Sequence, residues 1–332
     1  MADASPPAEG SKGSGRTAVV VALLANLGIA VAKFVGFMIT GASSMLAEAI
    51  HSVADSGNQL LLLIGARRSR REATPEHPFG FGRERYVYAF IVSIILFSVG
   101  GLFALYEAFH KYEEVHAGHP NELLESDWWW VPLVVLVAAI GMESWSFRTA
   151  IRESNKVRDG ASWFRFVRGA KAPELPVVLL EDLAALLGLF FALVGISLAL
   201  ITDNAYWDVA GTVAIGILLV CVAVCLAIET KSLLLGESAS PGSIRAIRTA
   251  IEQTPGIERI IHLKTLHLGP EELLVAAKIA VEHDESADTI AGRIDAAEAA
   301  IRAAEPMAEL IYLEPDIYRE RAAAERSTEP LS

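Results

Sequence analysis

Six apolar runs fill the first two thirds of the chain: Thr17 to Ile39, Ser44 to Ala66, Tyr86 to Phe109, Trp130 to Ile151, Leu175 to Ile201 and Tyr206 to Leu235. Each is long enough to cross a bilayer core as a helix of about 20 residues, so the pattern predicts a six-helix transmembrane bundle. An even number of spans puts both ends of the chain on one side. From about Glu237 the apolar runs give way to shorter periodic ones. Pro241 to Thr254 reads as a helix, Pro255-Gly256 as a turn, Ile257 to Leu268 and Leu273 to Glu282 as strands around Gly269-Pro270, Ser286 to Glu305 as an amphipathic helix and Ala308 to Glu314 as a last strand. The order αββαβ suits a small two-layer, ferredoxin-like domain.

The expected organisation is an N-terminal arm over residues 1–15, a transmembrane domain over 16–236, a cytoplasmic domain over 237–316 and a flexible tail over 317–332. The arm is rich in Pro, Gly, Ser and Ala and reads as disordered. It lacks an Ala-x-Ala-like site before a short apolar stretch, so it does not read as a signal peptide.

Composition agrees with a membrane protein: 53% of the 332 residues are hydrophobic and the mean hydropathy is +0.40. Charge then sets orientation. Arg67, Arg68, Arg70, Arg71, Arg83 and Arg85 follow the second run, and Arg148, Arg152, Lys156, Arg158, Arg165, Arg168 and Lys171 surround the link after the fourth. The link after the third holds Glu113, Glu114, Glu122, Glu125 and Asp127 instead. The basic links, and with them both termini, are expected in the cytoplasm, with Trp128, Trp129 and Trp130 at the outer interface. A bacterial inner membrane is the expected location. Most of the net charge of −12 falls after Glu237, which makes nucleic acid and anionic lipid poor partners for that domain. Cys221 and Cys225 are one helical turn apart and form no C-x-x-C, so they read as packing residues.

The polar exceptions within the apolar runs carry the chemistry. Glu48, His51, Asp55 and Asn58 recur at steps of three and four, which places them on one face of a helix. Such groups are expensive in hydrocarbon and mark ion or proton paths. Glu181 and Asp182 are adjacent in the fifth run, and two neighbouring carboxylates there call for a cation. An imidazole with carboxylates suits Zn²⁺ and is also compatible with Co²⁺, Fe²⁺ or Mn²⁺. No phosphate loop, Ser-His-Asp set or H-E-x-x-H occurs, so an enzyme is not indicated.

The run Ala47-Glu48-Ala49-Ile50-His51-Ser52-Val53-Ala54-Asp55, the segment His77-Pro78-Phe79-Gly80-Phe81-Gly82-Arg83, the six runs and the αββαβ tail together resemble the cation diffusion facilitator family of metal transporters. Leu179-Leu180-Glu181-Asp182 looks most like its subgroup related to zinc transporter 9. The resemblance implies a homodimer in the lipid bilayer that exports a divalent ion, Zn²⁺ first and Co²⁺, Fe²⁺, Cd²⁺ or Mn²⁺ otherwise, in exchange for protons by alternating access, with no cofactor.

It also implies a four-ligand site shared by the second and fifth spans. His51, Asp55 and Asp182 match the family pattern, but Val178 stands where that pattern has a second His. Glu181 is the substitute, and Glu143 in the fourth span is another candidate. Of the family's accessory sites, His77 remains in the link after the second span, with Phe81 at the place of a further His. In the tail domain His262, His267 and His283 read as surface residues, Tyr312 and Glu314 occupy positions where the family often has His and Asp, and dimerisation is the expected role. Arg83 lies where the family uses a basic residue in a charge cluster. The incomplete ligand set keeps a second reading open, a metal-responsive membrane sensor that binds without flux.

Overall fold

The computed structural model describes residues 11–41, 43–118, 128–158 and 160–319. Glu122, Glu125 and Asp127, the first ten residues of the expected arm and residues 320–332 of the expected tail lie outside them. The chain divides into two compact units, one formed by Met1–Arg68 and Glu84–Lys231, the other by Ser69–Arg83 and Ser232–Ser332.

The first unit is helical. Helix α1 (Ser11–Thr40) is followed by α2 (Ser43–Arg68), then by α3 (Glu84–Ile95), a π-helical turn (Leu96–Leu102) and α4 (Phe103–His116), which run on as one rod. Next come α5 (Trp130–Val157), the short α6 (Trp163–Gly169), α7 (Glu174–Thr202) and α8 (Tyr206–Leu235).

Two expectations need correction here. Ser11 to Gly15 belong to α1 and not to a disordered arm: helical hydrogen bonding extends backwards through a Gly/Ser-rich stretch whose composition alone suggested a coil. The link Ser69–Arg83 clusters with the second unit, although it lies within the sequence range assigned to the transmembrane domain.

Among the described residues, four helical rods are long and apolar enough to cross a membrane: Glu84–His116, Trp130–Val157, Glu174–Thr202 and Tyr206–Leu235. Helix α1 (Ser11–Thr40) is apolar over the residues whose side chains are described, Asn26–Thr40. Helix α2 has the length, but Glu48, His51, Asp55 and Asn58 dilute its hydropathy. It offsets that polarity by burial, packing against α1, α3, the π turn, α4 and α7. The apolar core of this unit joins Met45, Leu96, Leu136, Leu189, Ile196 and Leu219 from successive helices. Helices α7 and α8 meet backbone to backbone: a Cβ on Gly195 would lie 2.9 Å from the Trp207 carbonyl oxygen, and one on Gly211 would lie 2.9 Å from that of Phe191.

The second unit holds α9 (Pro241–Glu252), β1 (Arg259–Gly269), β2 (Glu272–Ala280), α10 (Ala287–Ala304) and β3 (Ala308–Asp316). Both helices start on a serine whose hydroxyl accepts from the amide three residues on, Ser240 from Ser243 at 3.1 Å and Ser286 from Thr289 at 3.2 Å. In α9 Pro241 follows at the first helical position, where its missing N–H costs nothing. The sheet order is β1-β2-β3, antiparallel then parallel. The period-two burial of Leu273, Val275, Ala277 and Ile279 on β2 faces Ile247 and Ile251 of α9 and Ala297 and Ile301 of α10 in one core. On the outer face Lys278 donates to Asp316 at 2.9 Å and to Glu314 at 3.0 Å, which raises its own pKa and lowers that of Asp316.

Candidate metal-translocation site

Helix α2 carries the site because its polar residues share one buried face. Glu48, His51 and Asn58 have no exposed surface, and Ser52 and Asp55 are buried beside them. His51 Nε2 lies 3.5 Å from Asp55 Oδ2, one turn further along. The π turn backs the imidazole: a Cβ on Gly100 would stand 4.0 Å from His51 Nδ1.

Helix α7 packs against this face and brings Glu181 and Asp182, both buried. The two carboxylates point to different partners. Asn58 Nδ2 donates to Glu181 Oε1 at 2.8 Å, bridging α2 to α7, whereas Ser146 Oγ on α5 donates to Asp182 Oδ2 at 3.0 Å. Glu143, one turn before Ser146, is buried on the same helix. Val178, the position without the expected imidazole, packs among apolar residues that include Phe166 and Leu179.

Among the described residues no three His, Cys, Asp or Glu side chains converge closely enough to hold a metal ion. The His51–Asp55 pair is assembled, while Glu181 and Asp182 are held by Asn58 and Ser146. Yet Nδ1 and Nε2 of His51, Oδ1 of Asp55 and Oδ1 of Asn58 are buried without a hydrogen-bond partner among the described residues. An orphaned buried acceptor costs about 1–3 kcal/mol, so this cluster of open positions on one helix face is chemically suited to a cation.

Sequence reasoning missed Lys33. It is fully buried on α1, with Nζ 3.0 Å from Glu48 Oε2 and 2.8 Å from Ser52 Oγ. A lone cation in an apolar run was the available signal. Ser146 was missed too, since a single serine in a helix is unremarkable until its neighbour is known. His77 belongs to the second unit, where it is exposed and its ring lies 4.7 Å from that of Phe81. Among the described residues it belongs to no group of three ligand-type side chains. In the same unit His262 and His283 are exposed, but His267 is buried, its Nδ1 3.3 Å from the Gly269 carbonyl oxygen. It is a core residue and not the surface histidine that the sequence suggested, because the end of β1 is covered by Gly82 of the link and by Glu237, whose carbonyl accepts from the His267 amide at 2.9 Å.

Residues 19–235 match the family model described as the cation efflux transmembrane domain. The mitochondrial proton-coupled zinc antiporter SLC30A9 of Homo sapiens is 31% identical over 270 residues, covering 81% of this chain and 46% of that protein. Metal tolerance protein C4 of Arabidopsis thaliana is 25% identical over 264 residues, covering 79% of this chain and 56% of that protein. The chain thus spans about half the length of the curated relatives it matches. A solved MamM C-terminal domain is 20% identical over 23% of this chain and 95% of its own, with a TM-score of 0.22.

Proposed function

The chain belongs to the cation efflux family, which makes it a multi-pass membrane transporter of metal ions and not an enzyme, and from that premise we propose that it exports Zn²⁺ from the cytoplasm in exchange for protons by alternating access. The ligands are His51 and Asp55 from α2 with Asp182 and Glu181 from α7, and Glu143 stands in reserve. One observation carries this reading: the buried ring nitrogens of His51 and Oδ1 of Asp55 have no hydrogen-bond partner among the described residues.

An ion entering between α2 and α7 closes its coordination shell on Glu181 and Asp182 while Asn58 and Ser146 keep each carboxylate oriented through its other oxygen. The imidazole must be neutral and the carboxylates deprotonated to bind, so binding releases protons and weakens as the pH falls. Protons arriving from the far side then displace the ion. With one imidazole and several carboxylates the set is oxygen-rich, which widens the range of acceptable cargo to Co²⁺, Fe²⁺, Cd²⁺ and Mn²⁺.

In this reading α1 and α2 join the four apolar rods as six spans, both termini are cytoplasmic in a bacterial inner membrane, and the ferredoxin-like tail domain pairs two copies. The SLC30A9 proteins that the chain resembles are named as proton-coupled zinc antiporters, which supports the same cargo and coupling here.

The test is purified protein in sealed vesicles, followed with a fluorescent Zn²⁺ indicator under an imposed proton gradient. Wild type should accumulate Zn²⁺ and Asp55→Ala should not. Equal uptake by the two would remove the site. Binding without flux would favour the second reading, a metal-responsive sensor, for which the separation of Glu181 and Asp182 onto different partners speaks.

A further inference from the structure

The link from α5 to α7 borders an open cavity of about 380 Å³ whose lining includes Arg158, Arg165, Phe166, Lys171 and Leu175. Three of these are cations, and none of the described lining residues is acidic. We propose that this cavity binds the phosphate of an anionic phospholipid headgroup.

The cavity is built and not merely a charged loop. Phe166 anchors α6 by packing with Ala150 of α5 and Leu179 of α7. Ser162 caps the helix, accepting from the Arg165 amide at 3.3 Å. Among the described residues Arg158 is fixed without a carboxylate: its guanidinium donates to the Ala161 carbonyl at 2.8 Å and to Asn155 Oδ1 at 2.5 Å, and lies 4.3 Å from the centre of the Trp163 ring. Arg165 is exposed and makes no ion pair among the described residues. Arg168, by contrast, lies outside the cavity lining and pairs with Glu229 at 3.2 Å.

Placement selects the ligand. Helix α5 ends at Val157 and α7 begins at Glu174, so the link between two long apolar helices must run along the membrane surface. Phe164 is 72% exposed and Trp163 is 37% exposed beside the cavity. Aromatic rings in that position sit at the level of the headgroups, and a basic pocket between spans at that level suits a lipid phosphate, which an arginine fork can grip with two donors. The topogenic preference for basic links explains the sign of the charge. It does not explain why three cations surround one concavity with Arg158 already immobilised.

The test uses the full chain, reconstituted in vesicles of phosphatidylcholine and phosphatidylglycerol without metal, then extracted and analysed for retained phosphatidylglycerol by mass spectrometry. Arg165→Gln and Lys171→Gln should each retain about fivefold less than wild type, the contribution of one basic residue near an anionic surface. Arg165→Lys, which keeps the charge, should retain most of it, and Arg152→Gln, which removes a charge from the same side of α5 outside the cavity, should match wild type.

Equal losses for Arg152→Gln and Arg165→Gln would overturn the site in favour of a diffuse basic surface. A second arm compares thermal unfolding in neutral micelles with added phosphatidylglycerol or with inorganic phosphate. Stabilisation by the lipid alone is expected, and equal stabilisation by phosphate would overturn the lipid assignment. Neither readout depends on flux, so the proposal stands or falls apart from the transport function.

Discussion

Lys33 Nζ lies 3.0 Å from Glu48 Oε2 with neither side chain exposed, tying α1 to the helix that carries His51. A buried pair of this kind is weak evidence for stability as a whole, but removing one partner strands the other charge. Lys33→Met should therefore destabilise the protein by about 3–5 kcal/mol, read as loss of the folded fraction in detergent. Lys33→Met combined with Glu48→Leu should recover much of that loss. If Glu48 were instead a metal ligand, the double variant would fold but fail to bind Zn²⁺.

Asn58 holds Glu181 across the α2–α7 contact at 2.8 Å. Groups that orient metal ligands contribute about 10–100-fold to affinity. Asn58→Leu should raise the Zn²⁺ concentration for half-maximal uptake by that factor, measured in vesicles over a range of metal concentrations. An unchanged concentration dependence would mean that Glu181 reaches the ion without guidance.

Ser146 holds Asp182 in the same way from α5. Ser146→Ala leaves that carboxylate short of a donor, so its affinity for protons should rise and metal binding should weaken most on the acid side. A pH series of Zn²⁺ binding would show the midpoint displaced upward relative to wild type. A parallel curve at all pH values would argue against this role.

At the α7–α8 contact a methyl on Gly211 would meet the Phe191 carbonyl oxygen at 2.9 Å, a backbone atom that cannot move without its helix. Gly211→Ala should cost about 1–3 kcal/mol. On α5, a Cβ at Gly141 would meet nothing within 4 Å, and Gly141→Ala should stabilise by about 0.5–1 kcal/mol through reduced backbone freedom in the unfolded chain. Thermal unfolding of the two variants should move in opposite directions.

The α2 stripe was legible in the sequence because four costly groups at helical spacing cannot be accidental in hydrocarbon. The carboxylates of α7 were legible for the same reason. The strands were visible through their alternating Leu, Val and Ile positions, with Gly269-Pro270 marking the reversal. What stayed hidden depends on pairs distant in sequence. Lys33 finds Glu48 fifteen positions away on another helix, Ser146 finds Asp182, and His267 is buried only because Gly82 and Glu237 cover the end of β1. The helical start at Ser11 was obscured by glycine and serine, which by composition suggest a coil.

The π-helical turn Leu96–Leu102 stands behind His51. Such a turn is an α-helix that accommodates one residue more than its hydrogen-bond ladder needs. The rod Glu84–His116 therefore holds slack of a single residue beside the imidazole. Loss of one residue there can be absorbed by closing the turn to ordinary helix, whereas the loss of one residue of α7 before Glu181 would rotate everything beyond it by about 100° relative to the start of the helix and carry Glu181 and Asp182 out of register with Asn58 and Ser146.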